Sequence, residues 1–136
     1  TVNLHQLAAG GFNYSDLGGG TDTITLAINL GGTVQINGVT RIDTGAGSDT
    51  VNIATNGTAF FNDSVFISLG AGNDLLFIGA NADSPAFNGS SKFQFDGGAG
   101  TDVFNGSPLS LADYFGAPLG KKLKSKITGF ESLLTN

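Results

Sequence analysis

Four short stretches of this chain are near-copies of one another, and they restrict its fold more than any other feature. Gly18-Gly19-Gly20-Thr21-Asp22-Thr23-Ile24, Gly45-Ala46-Gly47-Ser48-Asp49-Thr50-Val51, Gly70-Ala71-Gly72-Asn73-Asp74-Leu75-Leu76 and Gly98-Ala99-Gly100-Thr101-Asp102-Val103-Phe104 share the form Gly-[Ala/Gly]-Gly-x-Asp-x-apolar. Their aspartates follow at intervals of 27, 25 and 28 residues. A unit of that length cannot bury an apolar face alone, so the copies must stack, with the four turns one above another along one edge.

Between the turns the hydrophobic pattern has period two. Ile24, Leu26 and Ile28 alternate with Thr23, Thr25 and Ala27, as in a strand with one buried face. Gly31-Gly32 interrupts, and Val34, Ile36, Val39 and Ile42 lead to the second turn. The next periods repeat this with Val51, Ile53, Phe60, Phe61, Val65, Ile67 and Leu69, then with Leu76, Ile78, Phe87, Phe93 and Phe95. Asn-Gly pairs at 37–38, 56–57, 88–89 and 105–106 are expected to supply left-handed backbone at corners. Asn-Gly between strands also reads as a hairpin, giving an antiparallel sandwich. A glycine turn recurring once per period favours the parallel alternative. Phe12, Phe61, Phe66, Phe77, Phe87, Phe93, Phe95 and Phe104 lie in or beside strands and are expected to stack from one coil to the next, although the adjacent Phe60 and Phe61 cannot both face inward.

The last segment differs. Ser107-Pro108 through Gly116 has the N-cap, first-turn proline and terminating glycine of a short helix. Ile127-Thr128-Gly129-Phe130-Glu131-Ser132-Leu133 matches Ile36-Asn37-Gly38-Val39-Thr40-Arg41-Ile42 in pattern, without the glycine turn that follows there. The expectation is a single domain over residues 1–136, with regular coils over 1–106 and an irregular last coil or cap over 107–136.

At 136 residues, 40% of them apolar, the chain is long enough for one core. Cysteine is absent, which excludes disulfides and thiol chemistry. No apolar run approaches the 18 or so residues of a membrane-spanning helix. Residues 1–120 carry ten acids against Arg41 and Lys92, a balance of −8, whereas 121–136 carry four lysines against Glu131, or +3. An acidic body disfavours nucleic acid and suits cations, and the lysines read as a solvated end. The composition, and a first residue that is not Met, suggest part of a longer extracellular bacterial protein, with flanking β-structured segments as neighbours.

The repeated turn resembles that of the RTX family, the repeats-in-toxin proteins of secreted bacterial toxins, proteases and surface proteins, whose nonapeptide is Gly-Gly-x-Gly-x-Asp-x-apolar-x. Gly18 and Gly20, Gly45 and Gly47, Gly70 and Gly72, and Gly98 and Gly100 match its second and fourth positions. Asp22, Asp49, Asp74 and Asp102 match its aspartate, and Ile24, Val51, Leu76 and Phe104 its apolar position. The resemblance implies calcium held by those aspartates and by carbonyls of the turns. Two features depart from it: Leu17, Thr44 and Leu69 replace the first glycine in three turns, and one turn occurs per 25 to 28 residues instead of every nine.

Geometry offers calcium a separate rationale. Stacked strands lie about 4.8 Å apart. Carboxylates at that separation repel by roughly 3.5 kcal/mol at an effective dielectric of 20. A cation midway would stand about 2.4 Å from each layer, a calcium–oxygen distance. The alternative is that each aspartate accepts hydrogen bonds from the backbone of its own turn.

Catalytic sets are sparse. His5 is the sole histidine and no P-loop is present. Arg41 with Asp43 and Asp49 is the one constellation that suggests polysaccharide chemistry, and the threonines at 23, 25, 50 and 55 do not extend into an ice-binding array. The sequence therefore leads to a right-handed parallel β-helix of about five coils, a structural or adhesive module of an extracellular or cell-surface protein and not an enzyme. The alternative is a degenerate carbohydrate-active β-helix that binds or cleaves polysaccharide.

Overall fold

The computed structural model describes residues 2–4, 7–9, 12–14, 18–26, 33–53, 58–79, 86–87, 93–106 and 127–135. The strands follow the sequence period. The first period contributes β1 (Val2–Leu4), β2 (Leu7–Ala9) and β3 (Phe12–Tyr14). The second contributes β4 (Thr23–Leu26), β5 (Thr33–Ile36) and β6 (Thr40–Asp43), and the third β7 (Thr50–Ile53), β8 (Thr58–Phe61) and β9 (Val65–Ser68). After the turn strand β10 (Ala71–Gly72) come β11 (Leu75–Ile78), β12 (Ala86–Phe87) and β13 (Phe93–Asp96). A second turn strand, β14 (Ala99–Gly100), precedes β15 (Val103–Gly106), β16 (Ile127–Thr128) and β17 (Ser132–Thr135).

All described residues in regular structure are in strands, and every strand pairing is parallel. The order β1-β4-β7-β11-β15-β17 forms a six-stranded sheet, β2-β5-β8-β12 a four-stranded sheet and β3-β6-β9-β13-β16 a five-stranded one. Each sheet thus takes one strand per period, and its neighbours are successive periods. No antiparallel hairpin occurs among the described residues, which removes the sandwich alternative there. The short helix expected from Ser107, His5 and the Asn-Gly pairs at 56–57 and 88–89 lie outside the described residues.

Register explains the alternation. Ile24 pairs with Val51, Val51 with Leu76 and Leu76 with Phe104, so one column of apolar side chains runs through four periods. Ile42, Ile67, Phe95 and Ile127 form the corresponding column of the five-stranded sheet. All of these except Ile127 join Leu26, Val34, Ile36, Ile53, Phe61, Val65, Leu69 and Ile78 in one core cluster, against which Ile127 and Phe130 are partly buried. A parallel sheet buries one face this way wherever the period-two pattern is held in register by its neighbours.

Several expectations are corrected. Thr40, not Val39, is the buried residue that opens β6, because the bend at 37–39 shifts the alternation by one. Asn105-Gly106 ends β15 and does not form a corner. Positive φ falls on Gly18, Gly20, Gly45, Gly47, Gly70, Gly72, Gly79, Gly98, Gly100 and Gly129, and Gly38 is not among these. Phe61 and Phe87 are register neighbours one period apart, as expected, but among the described residues the other phenylalanines do not pair in register with one another. Phe61, Phe95 and Phe104 are buried, Phe66 and Phe77 are half-buried on outward positions, and Phe60 is exposed. Phe95 stacks at 6.1 Å on Phe104 of the neighbouring sheet, and Phe104 meets Phe130 edge-on at 5.7 Å. The ring contacts of Phe104 therefore run across the core to Phe95 and Phe130, while its register neighbours are Leu76 and Leu133.

The segment 127–133 is placed differently from its sequence match to 36–42. Ile127 aligns with Phe95 and so with Ile42, while Ser132 aligns with Val103. Residues 129–131 therefore occupy the place of the glycine turn.

Candidate functional site: the glycine and aspartate turn

The four turns stack as the repeat requires. Gly19 bridges to Ala46 and Ala46 to Ala71, and β10 continues to β14 through Ala71 with Ala99 and Gly72 with Gly100. Within each turn the first glycine has φ of 95–97° and the second 132–149°, values that disfavour any residue with a Cβ. The carbonyls of the first glycines and of the alanines after them are engaged from layer to layer. The Ala46 amide donates to Gly18 O, Ala71 to Gly45 O and Ala99 to Gly70 O, while Gly20 donates to Ala46 O and Gly47 to Ala71 O. Parallel β-pairing thus continues around the corner instead of stopping at it.

The aspartates form a second ladder. The Asp22 amide donates to Asp49 Oδ1 at 2.8 Å, the Asp49 amide to Asp74 Oδ1 at 2.7 Å and the Asp74 amide to Asp102 Oδ1 at 2.8 Å. Each carboxylate accepts from the preceding turn, not from its own, so it ties two periods together. Asp49, Asp74 and Asp102 are buried because they share the inward face of Val51, Leu76 and Phe104, two residues on. Asp22, in the first turn, is half-buried.

A fourth rung was missed by the sequence pattern. The Asp102 amide donates to Glu131 Oε2 at 2.7 Å. The corner here is short: two residues separate Thr128 from Glu131, whereas five separate its register partner Asp96 from Asp102. A glutamate carries one methylene more than aspartate, and that extra reach maintains the rung. Gly129-Phe130-Glu131-Ser132-Leu133 preserves the Gly-x-acid-x-apolar order and is the signal that could have found it. This corner also explains Gly97, since a Cβ there would stand 2.3 Å from Gly129 O.

The second carboxylate oxygen is different. Oδ2 of Asp49, Asp74 and Asp102 is buried with no hydrogen-bond partner. Burial pushes the carboxyls of Asp74 and Asp102 above the ordinary aspartate value. The amide that each accepts works in the opposite direction, and neighbouring carboxylates raise both again: Asp102 and Asp49 for Asp74, Glu131 and Asp96 for Asp102.

A carboxyl whose pKa rises on folding binds protons more tightly in the native state, so its contribution to stability is full below the unfolded value near 3.8 and is lost as pH rises through the folded value. Asp74→Asn keeps an acceptor oxygen for the Asp49 amide and removes the charge. Its melting temperature relative to the parent should therefore increase as pH is raised from about 4 to 8. A difference that stays flat, or one that falls with pH, would show that burial does not penalise this carboxylate.

Calcium takes six to eight oxygens. The acid part of such a shell is present in the three unpartnered Oδ2 atoms, whereas the Oδ1 atoms and the carbonyls of Gly18, Gly45, Gly70, Ala46 and Ala71 already accept backbone hydrogen bonds. Among the described residues no group of three or more acids, histidines or cysteines is placed to share one ion. Of the acid oxygens in these turns, Oδ2 of Asp49, Asp74 and Asp102 are the ones that could hold a cation.

The other sequence candidates are dispersed. Arg41 and Asp43 are exposed on β6, and the Arg41 guanidinium lies 5.2 Å from the Phe66 ring centroid. Asp49 faces inward and is not gathered with them. Among the described residues no helix is long and apolar enough to cross a membrane. No known protein family matches this chain, and neither the curated proteins nor the solved structures contain a significant match to it.

Proposed function

We propose that this chain is a right-handed β-solenoid module of about five coils, with a structural or adhesive role in an extracellular or cell-surface bacterial protein, and with flanking β-structured segments as its neighbours. The observation that carries the reading is the constant register of one strand per sheet and one turn per period. Such a stack is quasi-one-dimensional: each period contacts only those above and below, so length varies without altering the contacts. Removing residues 50–74 joins Asp49 to Leu75 and deletes one 25-residue period. The shortened protein should remain folded with the same β-sheet circular dichroism and be shorter by about 4.8 Å in solution scattering. Removing 12 residues from the same point should abolish folding. If both deletions unfold alike, the periods are not modular and the solenoid reading fails.

Calcium belongs to this proposal as a weak ligand of Asp49, Asp74 and Asp102. With few acid oxygens per layer its dissociation constant is expected at about 10⁻⁴–10⁻³ M, as for extracellular modules. At a hundredfold excess each filled site would add about 2.7 kcal/mol. Melting should shift upward in millimolar calcium relative to EDTA, and less in magnesium, which demands shorter bonds. Asp49→Asn should reduce the shift more than Asp22→Asn, since Asp49 has a buried unpartnered oxygen and Asp22 is half-buried. Identical curves in calcium and EDTA would leave the hydrogen-bond ladders as the sole tie between turns.

A further inference from the structure

On the outward side of the four-stranded sheet, at its corner with the five-stranded one, four exposed residues form a two-by-two array. Gln35 lies beside Phe60 in register, and Ile36 pairs with Phe61, which places Asn37 beside Asn62 one position further. Phe60 is the exposed large hydrophobic among the described residues, 36% accessible, whereas Phe61 next to it is buried. The amides are organised: Asn62 Nδ2 donates to Asn37 Oδ1 at 2.7 Å and Gln35 Nε2 donates to the same oxygen at 3.1 Å. Two donors on one oxygen fix the Asn37 side chain. Its own Nδ2 hydrogens, and Gln35 Oε1, have no partner among the described residues. A single exposed aromatic on a surface is ordinary. An exposed ring bordered by amides already locked into a network is not, because loose surface amides gain little from pairing with each other and not with water.

None of the four side chains is charged, on a body whose first 120 residues carry −8. We infer that this array binds a neutral polysaccharide, and this rests on the adhesive form of the function proposed above. An aromatic face accepts the weakly positive C–H face of a pyranose ring. An adjacent amide offers both N–H donors and a carbonyl acceptor, the pair that two neighbouring hydroxyls require. Polyanionic chains such as polyuronates would be repelled by the acidic body. Because Gln35 and Phe60 are register neighbours along the direction in which the periods stack, an extended sugar chain would lie along that direction, across β5 and β8.

The test is an NMR titration of the full chain with cellohexaose, maltohexaose, laminarihexaose and mannohexaose, with hexagalacturonate as the charged comparison. At least one neutral hexasaccharide is expected to bind with a millimolar constant and to shift the side-chain amides of Gln35 and Asn37. Phe60→Ala should weaken it by about fivefold, Phe60→Tyr should retain it, and Phe66→Ala, on the neighbouring sheet, should leave it unchanged. The backbone amide spectrum of each variant reports folding independently. No binding of any neutral member up to about 10 mM, tighter binding of hexagalacturonate, or equal affinity in Phe60→Ala would each overturn the inference. A folded protein that binds none of them would still be a solenoid by the period-deletion test, so the two failures are distinguishable.

Discussion

Gly72→Ala is expected to abolish cooperative folding, while Gly20→Ala, at the equivalent place one end of the stack away, should cost a few degrees of melting temperature. Both glycines have positive φ, +149° and +132°, so both substitutions carry the conformational penalty of an L-residue there, roughly 1–2 kcal/mol. They differ in what lies beneath. A Cβ on Gly72 would stand 1.7 Å from Gly47 O and 2.5 Å from its carbonyl carbon, whereas among the described residues nothing lies within 4 Å of a Cβ on Gly20. The obstacle at Gly72 is backbone, held by the ladder that joins the turns, and it cannot rotate away as a side chain would. Separating the two turns would break the Ala46–Ala71 bridge, with its hydrogen bonds from Gly47 N–H to Ala71 O and from Ala71 N–H to Gly45 O, and the Asp49 to Asp74 rung together. The loss should exceed about 4 kcal/mol, in the exceptional range for one substitution. Urea or thermal unfolding of the two variants measures it, and equal losses would show that φ alone, not stacking, demands these glycines.

That contrast gives the glycines a reason that the motif does not contain. In sequence, Gly-x-Gly beside an aspartate resembles a metal-binding turn, and the same residues satisfy a simpler requirement: backbone must approach backbone at the corner of every layer. The aspartates were legible in position and not in direction. Asp49, Val51 and Ile53 alternate on one face, so period two already implied an inward carboxylate, yet the spacing of the turns suggested an acidic edge facing a cation. Hydrogen bonding from one turn to the next accounts for the inward direction, because a buried carboxylate without a donor would be far more costly than one that accepts an amide.

Other features depended on contacts that no spacing reveals. Whether Phe104 meets another phenylalanine is determined across the core by Phe95 and Phe130, from other sheets or corners, and not by the residue one period away. Glu131 escaped recognition because its corner has lost three residues and the glycine pair with them. The aligned strands β16 and β17 were needed to show that an acid still occupies the rung. Thr40 illustrates the same limit: a polar residue at the start of β6 reads as outward, but the bend before it reverses the phase, and its hydroxyl is buried without a partner.

The core itself yields the sharpest test of register. Leu76 is fully buried, with Val51 on one side and Phe104 on the other in the same column, and it lies on the inward face two residues after Asp74. Leu75 is half-buried on the outward face, between Thr50 and Val103. Truncating Leu76 to Ala removes a side chain from a column that cannot close without moving the strands above and below, and such substitutions cost about 2–5 kcal/mol. Native domains have only about 5–15 kcal/mol in total, so Leu76→Ala should lower the urea midpoint severely. Leu75→Ala loses contacts on a surface already half open to water and should cost less than about 1 kcal/mol. Provided that the urea slopes of the two variants agree, their midpoints compare stability directly. The reverse order, or equal losses, would require a one-residue slip of β11 against β7 and β15. Such a slip would turn Asp74 outward and break the aspartate ladder at its centre.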